Sequence, residues 1–292
     1  MLLVNIHSSV HSKAAFHAFL SIAFLSISKF IHQDKHMKSV LSNCLYHQCL
    51  DIVMEPLKTA AQIGVMLSNL YGNGWYCFTP LTTCIIDTLK ACLKAGVWGK
   101  TSPVTLADYI QFGNDFCHPE WTKAITLAQI QSIDVDLNDL VAFFNACMKY
   151  CLNGIHLPYW QDWLLSEVSR CFPPEVLHIF HCFWYDHDTT WCVKAVGADE
   201  INFCFSILQP IMGHHHFSSG ITTLKKVTGK IQHDLKQYMI AVFAGAAPAG
   251  VIQAIHALLE VHYLAQASII NDEGCQDITA AFAESSIHTS KA

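Results

Sequence analysis

One stretch of this chain, Trp75 to Ile86 (WYCFTPLTTCII), reads as a β-strand, and its borders constrain the fold. Its aromatic and β-branched residues suit a pleated surface. Tyr71-Gly72-Asn73-Gly74 ahead of it is a turn, because Gly and Asn tolerate positive φ. Asp87 stops it. Upstream, residues 14–70 read as mixed helix, with Asp51 to Leu70 amphipathic. From about residue 100 the chain is loop-rich and then helical. Asp136 is the expected N-cap of a helix carrying Leu137, Leu140, Phe144, Cys147 and Cys151 at helical spacing. Asn153-Gly154 ends that helix, and Pro158 to Trp163 (PYWQDW) is an aromatic loop.

Pro173-Pro174 opens the next helix, where a missing N–H costs nothing, and Glu175 complements the helix dipole. That helix is expected to reach Ala195, with Gly197 past its end. A link containing Gly213 and Gly220 leads to helices at about 231–244 and 249–267, separated by Gly245 and Pro248. In the second, Val251, Ile255, Leu258, Leu259 and His262 share a face. From Asn271 the tail forms one short helix. This order is α+β and mainly helical, divided near residue 195 into segments 1–195 and 196–292.

The 292 residues leave room for one large or two ordinary domains. Only 14% are charged, where about 25% is usual, and the net charge is −6. Bulk electrostatics therefore give no support for nucleic-acid binding. A phosphate backbone needs a local basic patch such as Lys225-Lys226 with Lys230. The 13 cysteines include no C-x-x-C, which fits free thiols in the nucleus or cytoplasm. The apolar run Ala14 to Ile27 falls short of the roughly 20 residues that span a bilayer. It is interrupted by His17 and followed by no small-residue cleavage site. The expectation is neither secretion nor membrane insertion; the run is a buried strand or helix, or marks a mispredicted gene start.

Three constellations could carry chemistry. Asp87, at the end of an apolar strand, sits where ribonuclease-H-like enzymes place a metal ligand; the plainer reading is a turn former or helix cap. Glu175 and His178, three apart on a helix, share a face. Further along, His178, His181 and Cys182 cluster and could hold zinc with one more ligand; otherwise they are packed polar residues. His214-His215-His216 follows Gly213 in a loop. No G-x-S-x-G elbow, phosphate-cradling loop or G-x-G-x-x-G occurs.

Read together, Tyr76 to Asp87 (YCFTPLTTCIID), Pro174 to Trp191 (PEVLHIFHCFWYDHDTTW), Ala198 to Gln209 (ADEINFCFSILQ), His216 to Gly229 (HFSSGITTLKKVTG) and Val242 to Gln266 resemble the C-terminal part of Plavaka-type transposases, fungal relatives of the CACTA DNA transposons. The resemblance covers roughly residues 12–285 and is strongest from 170 to 268. It implies a ribonuclease-H-like DDE transposase that cuts and joins DNA strands with two Mg²⁺ or Mn²⁺ ions. By position, Asp87 is then the second catalytic aspartate. Glu175-x-x-His178 stands for a D-x-x-H signature, and Ile231 stands where a glutamate is expected after T-G-x. Asp199 and Glu200 are fallback acids.

The departures weigh more than the matches. The first catalytic aspartate belongs at or before about residue 3, and no acid precedes Asp34. A Cys pair expected after Asp87 is replaced by Thr101-Ser102-Pro103. Positions where such a chain carries Arg read as Cys204, His214, His215, His233 and His262, and Arg170 is the one arginine left beside 16 lysines. Cytosine-to-thymine decay at CG turns Arg codons into Cys, Trp, His or Gln codons, and silenced transposons accumulate such changes; a Lys-preferring, Cys-rich composition is the plainer account. The expectation is a truncated ribonuclease-H-like remnant followed by a helical C-terminal domain, an inactive fragment with no cofactor, poor solubility and a tendency to self-associate. The alternatives are a non-catalytic DNA- or protein-binding module and a His/Cys metal-binding helical protein.

Overall fold

The computed structural model describes residues 15, 21–25, 28–69, 71–114, 116–172, 177–225, 227–267 and 269–289. The chain divides into two compact units, Met1–Pro174 and Glu175–Ala292. The boundary expected near residue 195 falls inside the second unit, at the end of a helix.

The first unit opens with α1 (Lys35–Ile63), capped by Asp34, whose carboxylate accepts from His36 N at 2.7 Å. Its buried residues Met37, Val40, His47, Leu50, Lys58 and Ala61 recur at helical spacing. The helix ends at Gly64, which takes φ +71° and donates to Ala60 O at 3.0 Å. The expected helix over Asp51 to Leu70 therefore stops at Ile63. Val65–Ser68 becomes strand β1, pairing antiparallel with β2 (Gly74–Cys77). The turn between them is built by Asn69, whose side-chain oxygen accepts from Tyr71 N and Asn73 N, both at 3.0 Å.

The strand expected to reach Ile86 ends at Cys77. Proline at position 80 has no N–H for a ladder, and the chain beyond is held by other groups. Leu81 N donates to Ser166 Oγ at 2.8 Å and Cys84 N to Cys171 O at 2.7 Å. Asp87 then caps α2 (Thr88–Ala95), accepting from Lys90 N at 2.8 Å. Helices α3 (Lys123–Gln131), α4 (Leu140–Met148) and α5 (Val168–Cys171) come next. Asp139, not Asp136, caps α4, accepting from Ala142 N at 3.0 Å; Asp136 closes the turn before it by accepting from Asn138 N at 2.9 Å.

The aromatic loop expected at 158–163 is core: Tyr159, Trp160 and Trp163 are buried with Trp121. Each of the three indole N–H groups reaches a backbone carbonyl: Trp121 to Ser102, Trp160 to Lys94 and Trp163 to Thr79, at 3.0, 2.7 and 2.9 Å. His47 adds a fourth link. Its Nε2 lies 3.0 Å from Leu93 O and its Nδ1 accepts from Tyr159 N at 3.3 Å, which sets the neutral Nε2–H tautomer. Burial pushes that imidazole down to about 4.

The second unit begins with two wide π-helical segments, Leu177–Cys182 and Trp184–Thr189, in place of the expected α-helix. They run into α6 (Thr190–Val196), and Gly197 at φ +100° ends the run. The buried residues Trp184, Asp188 and Cys192 repeat every four positions, a spacing that wider turns keep on one face. Next come α7 (Ala198–Ser206), α8 (Gly229–Phe243), α9 (Ala249–Leu264) and α10 (Asp272–Thr289). The tail helix is thus longer than its sequence implies. Helix α9 packs against both α8 and α10, so burial on it extends to Ala254, Ala257 and Val261 beyond the expected face. The core joins Trp184, Phe205, Phe217, Leu235, Met239 and Leu259. The architecture is mainly helical with one two-stranded sheet among the described residues. None of their helices is long and apolar enough to cross a membrane.

Removing the cap that starts α2 has a defined cost. Asp87→Ala should destabilise the first unit by about 1 kcal/mol, and Asp87→Asn by much less, in denaturant unfolding. Equal losses in the two variants would show that charge rather than capping matters there.

Candidate functional site

Asp87 is partly buried and commits Oδ1 to the Lys90 N–H, the geometry of an ordinary helix cap. Among the described residues, no group of three or more His, Cys, Asp and Glu side chains is placed to hold a metal ion, around Asp87 or elsewhere. Glu175 and Lys226 lie outside the described residues, and of His178 only the backbone, in the first π-helical segment, is described. Asp199 and Glu200 are exposed in the first turn of α7, where they complement the helix dipole. Lys225 and Lys230 are exposed, the latter in the first turn of α8. Ile231 is the third residue of α8; its N–H donates to the Thr228 hydroxyl that caps the helix, and its side chain packs on the second core.

The second π-helical segment and α8 instead assemble a buried polar cluster. Lys236 is buried and donates to Phe180 O at 2.8 Å, with its ammonium 5.7 Å from the centroid of the Trp184 ring. This bond ties a carbonyl of the first π-helical segment to α8. Asp188 is 1% exposed, and neither of its oxygens has a hydrogen-bond partner among the described residues. His262, on α9, is buried with its ring 5.1 Å from that of Phe180. His181 faces His233 at 5.9 Å between ring centroids. Cys182 and Gln232 contact each other at 3.6–3.7 Å. The His214 ring meets the buried Asp234 carboxylate at 3.0 Å, and the same carboxylate accepts from His215 N at 2.8 Å. The histidine run thus anchors its loop to α8.

Burial governs the protonation of this cluster. It raises the Asp188 carboxyl to about 7, against an opposing pull from Lys236. It lowers the Lys236 ammonium to about 8, where Asp188 pulls the other way. His262 falls to about 3 through burial first, then through Lys236 and His181. The side chains of Asp188, Lys236 and His262 are buried, and Lys236 caps the Phe180 carbonyl.

Sequence reasoning singled out neither Lys236 nor Asp188. A signal for the lysine was present: Gln232, Lys236, Met239 and Phe243 lie on one stripe of α8. In the first unit it also missed Lys58, buried on α1, whose ammonium is bonded by Asp51 and by Asp162 at 2.5 Å. Burial alone would lower this lysine, but the bonds and charges of Asp162 and Asp51 outweigh it and the net shift is upward.

A transposase family model matches residues 1–192, well over half of the 292-residue chain. The family is Plavaka transposase, and the chain belongs to it. Residues 193–285, over which the sequence resemblance also runs, lie beyond that match. No curated protein and no solved structure matches the chain at a significant level.

The buried cluster predicts a pH signature. Between about pH 4 and 7 the folded chain holds an Asp188 proton that the unfolded chain has released, so this group makes stability fall as pH rises. Between about pH 3 and 6.5 the unfolded chain holds a His262 proton that the folded chain lacks, so stability rises. The two slopes oppose each other over most of that range. Asp188→Asn should leave the histidine slope alone. Its denaturant midpoint should climb more steeply than wild type from pH 4 to 6.5 and flatten above until the lowered Lys236 begins to release its proton; parallel profiles would refute the assignment.

Proposed function

We propose that this chain derives from a DDE-type DNA transposase and no longer cleaves or joins DNA. Family membership supports the origin. The loss rests on one observation: the Asp87 carboxylate serves as a helix cap, with no second and third acid beside it among the described residues. Two bridging divalent ions need several oxygen ligands, more than one carboxylate supplies. The donor set at Asp87 therefore does not fit the Mg²⁺ or Mn²⁺ pair of the ancestor. Ile231 in the glutamate slot points the same way. In this reading the β1–β2 hairpin and the helix headed by Asp87 are the remnant of a ribonuclease-H-like core. The chain is the decayed product of a fungal, CACTA-related element whose ancestral partner was nuclear DNA.

A second reading keeps binding without cleavage. Lys225 and Lys230 are exposed ahead of and within the first turn of α8, where they can meet phosphates. The zinc reading at His178, His181 and Cys182 has less support, since the Cys182 sulfur is engaged by Gln232.

The test is a strand-nicking assay of the full chain with Mg²⁺ or Mn²⁺. Wild type should nick no faster than Asp87→Ala; divalent-dependent nicking that this substitution abolishes would sink the reading. In the same samples, DNA retention that weakens with salt and drops on Lys225→Ala with Lys230→Ala would favour the binding module.

A further inference from the structure

The β1–β2 hairpin is well made, yet most of its large side chains are exposed. Tyr76 donates its hydroxyl to Ile63 O, and its ring lies over Gly64, where a Cβ would collide with it. Asn69 fixes the turn at the other end. Between these anchors both faces are wet: Val65, Leu67 and Trp75 are exposed on one, Met66 and Tyr76 on the other, with Trp75 at 59% and Met66 at 65%. Among the described residues, 65–68 and 74–77 make no backbone–backbone hydrogen bond beyond their mutual ladder. A two-stranded sheet with no buried face is marginal by itself. Natural edge strands are blunted by charge, proline or a bulge, and neither strand carries a charge or a proline.

Charge selects the occupant. From Thr59 to Ile86 there is no Asp, Glu, Lys, Arg or His, in a chain of net charge −6. Exposed aromatics here could stack nucleic-acid bases, but no cation lies among them to hold phosphate, and an anionic membrane meets the same deficit. For two copies of one acidic chain, an uncharged patch is the place of least repulsion. An antiparallel strand edge is also self-complementary under a two-fold rotation.

We propose that the hairpin pairs edge to edge with the hairpin of a second copy of this chain, forming one continuous antiparallel sheet across a two-fold axis. Met66→Lys and Trp75→Lys, one on each face and both at exposed positions, place like charges across that axis while leaving the fold intact, which an unchanged far-ultraviolet circular dichroism spectrum checks, since loss of a dimer by itself lowers the melting temperature.

Sedimentation velocity of the full chain, without DNA or metal, tests this apart from any question of ancestry. The expected result is a concentration-dependent dimer, weakened at least about tenfold by the double variant. Amide exchange should slow in residues 65–68 or 74–77 on dimerisation, because edge pairing occupies backbone groups that stacked faces leave free. A monomer at every concentration overturns the proposal. So does a dimer indifferent to both lysines, a species larger than a dimer, or protection confined to other segments.

Discussion

The first unit has little regular structure with which to satisfy its own backbone, and side chains reaching buried carbonyls and amides are what hold it together. Apart from α1, its helices are short, and its sheet has two strands. Irregular segments must still pair their peptide groups, since each one buried without a partner costs about 1–3 kcal/mol. Trp121, Trp160 and Trp163 each combine a large apolar body with one N–H aimed at a carbonyl. His47 bridges a carbonyl and an amide on two different segments. The ammonium of Lys123 reaches Trp163 O at 2.8 Å, and Lys58 ties α1 to the aromatic loop through Asp162.

In the second unit the same device appears in charged form. Lys236 stands on an otherwise core-facing stripe because its ammonium answers the Phe180 carbonyl, in a segment whose turns are wider than α-helical. Burying that charge is costly, and the nearby Asp188 offsets part of the cost at the expense of its own ionisation. A lysine, an aspartate and a histidine with displaced protonation would ordinarily mark a catalytic centre. Here they are walled off from solvent, and structural capping accounts for the lysine without invoking a reaction.

Membership of the Plavaka transposase family and the present geometry pull in different directions. The family points to chemistry on DNA; the carboxylate in the most suggestive position is a helix cap. A cap needs one oxygen and one N–H, whereas a bridged metal pair needs several oxygens converging from separate elements. Capping uses one oxygen of Asp87 and fixes where α2 begins.

What the sequence determined by itself is local. The turn at Gly72, the stop at Gly197, the break at Pro248 and the capping option for Asp87 arise from residue chemistry within a few positions, and the order of family-like strings identified the lineage. Element ends that depend on distant partners were not legible. The ladder stops at Cys77 because the segment after it bonds to Ser166 and Cys171, more than eighty residues away. The burial of Lys58 and Lys236 and the inward turn of the aromatic loop were decided only by tertiary structure. A charge or an indole goes inside only when a partner from another segment meets it there, and no local pattern records that meeting.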